Sequence, residues 1–122
     1  MRFAHRFGVL TKGLHYNGAT LRALGALARV QVRDALNAYR TGDVAQARRV
    51  WHGDDAVDRL HARLVATILE TMGHTASPDA LTTNTYVLWV SHNLERIADR
   101  ASTICERVLF IATGDRWRRR AS

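Results

Sequence analysis

At 122 residues, 47% of them hydrophobic, the chain is long enough for one domain with one modest core and too short for two ordinary domains. Its net charge of +7 and pI near 11 come from arginine, since Lys12 is the single lysine, and they point to an acidic partner or surface without bearing on the fold. One cysteine, Cys105, excludes an internal disulfide, and no run approaches the ~20 apolar residues that span a bilayer.

Residues 1–15, with Arg2 and Arg6, read as an N-terminal extension, and residues 1–10 lack the apolar stretch of a secretion signal. The expected location is therefore cytoplasmic, and Cys105, between Ile104 and Val108, is expected to be a buried and inert thiol.

Ala, Leu and Arg dominate the long segments, strand-like alternation is absent and Pro78 is the only proline, which is an all-α composition. Breaks at Gly42-Asp43 and at Gly73 through Pro78 predict three helices, over residues 16–40, 43–72 and 79–113. Asp43 and Ser77 are suitable N-caps, Pro78 fits a first helical position, and Gly73 and Gly114 stand where helices end. Connections this short make neighbouring helices antiparallel, so the expected architecture is an up-down-up three-helix bundle over residues 16–115. The remaining residues, 116–122, place Arg116, Arg118, Arg119 and Arg120 around Trp117 as a basic tail.

Three apolar seams are expected to enclose one core. The first helix contributes Leu21, Leu24, Ala28, Val32, Ala35 and Tyr39, and the second Val50, Val57, Leu60, Leu64 and Ile68. In the third, Val87, Val90, Leu94, Ile97, Ala101, Ile104, Val108 and Ile111 keep a three-four spacing.

The chemistry lies beside these seams. Glu95 and Asp99 stand at i and i+4, with His92 and Glu106 on the same stripe, and Asp54, Asp58 and His61 form a matching stripe on the second helix. If the two helices pack as neighbours, the stripes face one another, and converging acids repel unless a cation neutralises them. Oxygen-rich donors suit Mg²⁺, Ca²⁺ or Mn²⁺, and added imidazole also suits iron or zinc. The plain alternative is that Glu95 and Asp99 form helical ion pairs with Arg96, Arg100 or other arginines. His61 and His92 read as half-buried polar residues before they read as ligands. Catalysis has little support: there is no phosphate-cradling glycine loop, no Cys/His zinc pattern and no locally fixed nucleophile triad.

Asn93-Leu94-Glu95-Arg96-Ile97-Ala98-Asp99-Arg100-Ala101, followed by Ile104, Glu106, Val108 and Thr113-Gly114, resembles the signature of the PhoU family of phosphate-transport regulators. Upstream, Ala35-Leu36-Asn37-Ala38-Tyr39, Gly42-Asp43 and Asp54-Asp55-Ala56-Val57-Asp58-Arg59-Leu60 resemble the first two helices of the same repeat in order and spacing. The resemblance covers about Thr20 to Asp115. It implies a three-helix repeat whose acidic motifs bind a metal cluster, with Asp54, Asp58, Glu95 and Asp99 as ligands and multinuclear iron or zinc, or Mg or Mn, as the metal. It also implies a cytoplasmic, usually dimeric, non-enzymatic negative regulator of phosphate uptake, acting by contact with the phosphate ABC transporter and its sensor histidine kinase.

Members of that family usually carry two such repeats. This chain holds one, similar to the second, with Met1 near the junction, which is the expectation for a fragment or a late-start gene model. A homodimer would restore two bundles. Arg100 stands where histidine is frequent and Thr103 where asparagine is frequent, departures that bear on the cluster and not on the fold. Two other functions compete: a small basic helical nucleic-acid-binding module, which would use the arginines but not the acids, and a carboxylate-metal oxidase assembled by dimerisation.

Overall fold

The computed structural model describes residues 15–74 and 77–114. The basic tail at 116–122 and the N-terminal extension, apart from His15, lie outside the described residues. Three helices make up the fold: α1 (His15–Thr41), α2 (Val44–Gly73) and α3 (Pro78–Thr113).

Their ends follow local chemistry. Thr41 is followed by Gly42 at φ 70°, where the chain turns back so that the Gly42 and Asp43 amides both donate to the Ala38 carbonyl, at 2.8 and 3.2 Å. Asp43 then caps α2, its carboxylate accepting from the Gln46 amide at 3.0 Å. Ser77 caps α3 by accepting from the Ala80 amide, with Pro78 at the first position and Asp79 in the first turn. Gly114 ends α3 at φ 74°, donating to the Phe110 carbonyl at 2.8 Å. Gly73 differs from its expected role: it is the last residue of α2 with an ordinary negative φ, and the cap is His74, whose amide reaches the Thr71 carbonyl.

Each helix packs against the other two. Gln31 reaches Val50 while Asn37 reaches Gln46, so α1 and α2 run antiparallel. His61 meets Ser91, which sets the register of α2 against α3. Gly25 of α1 lies against Leu94 of α3, where an added Cβ would stand 3.8 Å from the leucine side chain. The bundle is the expected up-down-up arrangement.

Two apolar clusters fill it. One gathers Ala35, Ala38, Ala47, Val50, Cys105 and Leu109, and the other Leu24, Ala28, Val57, Leu64, Ile68 and Ala98. Midway along α1 and α2, between the clusters, lie two buried polar side chains, Gln31 and Asp54. Gln31 donates to the Val50 carbonyl at 2.7 Å, and Gly53 leaves it room: a Cβ there would stand 3.1 Å from the Gln31 amide.

The α2 seam is as expected. The α3 seam is not. Val90 is 47% exposed, Ile97 46% and Ile111 78%, while Asn84, Ser91, Ala98, Ser102, Cys105 and Leu109 face the core. α3 is wedged between two helices, and small side chains let it approach both closely, so its buried face is rotated away from its largest apolar residues. At the end of α1, Ala38 is buried in place of Tyr39, which is 65% exposed.

Candidate functional site

The acid stripes meet on the α2–α3 face. Antiparallel packing in the register of His61 and Ser91 brings Asp58 opposite Glu95. Burial pushes the Asp58 carboxyl above its ordinary range, and the negative charges of Glu95, Asp99 and Asp55 push it further. Asp58 and Glu95 are half-buried and Asp99 is exposed, so the strip opens to solvent on one side.

One turn along, His61 Nδ1 and Ser91 Oγ are 2.6 Å apart, and the His92 ring lies 6.4 Å from that of His61. His61 is half-buried, as expected; His92 is exposed. The Ser91–His61 pair had no signal in the local sequence, because the two residues are thirty positions apart. Ser91 is fully buried, so the hydroxyl acts as an anchor for the imidazole and not as a surface nucleophile.

Asp54 departs from its expected place. It is fully buried within the α2 seam, between Val50 and Val57, and not on a stripe flanking that seam. The heptad position explains this: Ala47, Val50, Asp54, Val57, Leu64 and Ile68 form one inward row. Glu106, two turns beyond Asp99, is not among the charges that raise Asp58.

The donors of the open strip are carboxylate oxygens, which suit a hard divalent cation, and a cation would relieve the repulsion that raises Asp58. Among the described residues, no three His, Cys, Asp or Glu side chains converge closely enough to hold an ion as they are placed. Among the described residues Arg96 and Arg100 form no ion pair.

The family model of the PhoU domain matches residues 21–108. The chain belongs to the PhoU family. Asp54, Asp58, Glu95 and Asp99 all fall inside the PhoU match. The chain is similar to the phosphate-specific transport system accessory protein PhoU homolog of Caulobacter vibrioides, 33% identical over 96 residues that make up 79% of this chain and 41% of that protein. It is 35% identical to the homolog of Xylella fastidiosa over 80% of this chain and 40% of the relative. With PhoU homolog 1 of Thermotoga maritima it shares 34% identity over 68% of this chain and 35% of the relative. The chain thus spans about two fifths of the length of these PhoU relatives. No solved structure matches it. Among the described residues no helix is long and apolar enough to cross a membrane.

Proposed function

We propose that this PhoU-family chain is a non-enzymatic, cytoplasmic regulator of phosphate uptake that damps a phosphate ABC transporter and its sensor histidine kinase by protein contact. The observation that carries this reading is the family match over residues 21–108 together with relatives named as accessory proteins of phosphate-specific transport. Because the chain is one three-helix unit and its relatives are about twice its length, the proposal includes a homodimer that places two units together. Sedimentation of the purified chain tests that element, and a monomer at micromolar concentration would remove it.

The proposal also includes a cation held by Asp58, Glu95 and Asp99, with the buried Asp54 as a fourth acid. Its support is the crowding of like charges around Asp58, which a bound cation would offset. Multinuclear iron or zinc, or Mg or Mn, are the metals to be measured. Asp58→Ala combined with Asp99→Ala is expected to lower the metal content of the purified protein, and an unchanged content would sink the assignment. Asp54→Asn, assayed separately, reads the contribution of the buried acid.

The regulatory role is tested by alkaline phosphatase output in phosphate-replete cells with and without the gene. Strong derepression on deletion is expected. Unchanged output would leave the chain without the proposed role.

A further inference from the structure

A second seam runs along the solvent side of α3. Tyr86, Trp89, Arg96, Arg100, Arg107 and Phe110 follow one another at steps of three, seven, four, seven and three, which holds them on one helix face. At 1.5 Å per residue the row is about 36 Å long. Its ends are aromatic, with Tyr86 51%, Trp89 67% and Phe110 48% exposed, and the three arginines between them are exposed as well. A shallow groove of about 710 Å³, with Leu81, Leu88 and Trp89 in its walls, opens at the N-terminal end of the row.

An isolated exposed aromatic is ordinary in a folded domain. Aromatic side chains aligned with arginines are the residue types that protein interfaces enrich, and an exposed apolar patch with a polar border marks a contact site. The arginines are available for such a contact: none of the three forms an ion pair within the described residues. Arg96 and Arg100 stand one turn apart and repel each other, a cost that an opposing carboxylate would remove.

We propose that this row docks an acidic amphipathic helix of a partner protein, with carboxylates across from Arg96, Arg100 and Arg107 and apolar side chains at Trp89 and Phe110. The three-four spacing is what a second helix packing at a shallow angle requires. Charge complementarity selects an acidic one. A second copy of this chain does not suit the row, because a two-fold pairing would set Arg96 and Arg100 against their own counterparts. An anionic bilayer does not suit it either, because Asn93, Thr103 and the arginines interrupt the apolar face that would insert. No phosphate or metal enters this contact, so it stands or falls independently of the phosphate-regulatory reading.

The test is photo-crosslinking in the source cells with the full chain, carrying benzoylphenylalanine in place of Trp89, or in place of the exposed Arg63 of α2 as a control. The expected product at position 89, absent from the control, is an adduct whose crosslinked peptide is a helical segment with acidic residues at three-four spacing. Arg96→Glu with Arg100→Glu is expected to lower that adduct by about tenfold, and reversing the acids of the partner segment to arginine is expected to restore it. The milder Arg96→Gln with Arg100→Gln, checked for unchanged helicity, separates lost contact from lost folding. An adduct to a second copy, to nucleic acid or to lipid would overturn the proposal, as would no adduct at all or one indifferent to charge reversal.

Discussion

Asp58 on α2 and Glu95 on α3 face each other across the helix interface, one turn from the 2.6 Å contact between His61 and Ser91. The Asp58 carboxyl is raised above its ordinary range, by burial first and by the negative charges of Glu95, Asp99 and Asp55 next. A raised carboxylate is a stability cost in the folded state. The cost is absent below the unfolded value near 3.9, where Asp58 is protonated in both states, and is complete once pH exceeds the folded value.

Asp58→Asn is therefore expected to raise the melting temperature at pH 7 and to leave it nearly unchanged at pH 3. Thermal unfolding of both proteins at the two pH values checks this. A variant less stable than the parent at pH 7 would show that Asp58 already has a compensating cation there.

The rotation of α3 separates two residues that its apolar pattern alone would treat alike. Leu64 of α2 is 1% exposed and Ile97 of α3 46%. Leu64→Ala is expected to cost about 2–5 kcal/mol, by lost burial and a residual cavity, whereas Ile97→Ala should cost less than about 1 kcal/mol. Urea unfolding of the two variants decides the seam: equal losses would place Ile97 in the core.

Gly114 sits at φ 74° and Gly73 in ordinary helical backbone, and nothing lies within 4 Å of a Cβ added at either. Gly114→Ala should destabilise by about 1 kcal/mol, because a side chain resists the left-handed region. Gly73→Ala should instead be neutral or stabilising by up to about 1 kcal/mol. Chemical denaturation of the pair reads the two signs.

Cys105 is fully buried, and burial, followed by the negative charge of Asp34, pushes its thiol up to about 11. At pH 8 only about one molecule in a thousand then carries the reactive thiolate. Ellman's reagent is expected to label the native chain far more slowly than the urea-unfolded chain, and equal rates would mean that α3 opens readily at this point.

Much of the fold was legible because it is encoded locally. The caps at Asp43 and Ser77, the proline at position 78 and the left-handed glycines 42 and 114 each act within a turn of themselves, so their roles could be read residue by residue. The α2 row of valine, leucine and isoleucine was equally plain. The place of Asp54 was less so: an acid beside another acid invites grouping with Asp58, yet its spacing from Val50 and Val57 puts it in the inward row.

Sequence by itself determined three helices, their limits, the seam of α2 and the family to which the chain belongs, because those depend on short-range periodicity, capping and motif spacing. Tertiary structure decided which face of α3 is buried, that Asp58 meets Glu95, that Ser91 anchors His61, and that Tyr86, Trp89 and three arginines share one outward row. The reason is geometric. A helix packed between two others buries the side that fits the space between them, and only the fold supplies the shape of that space.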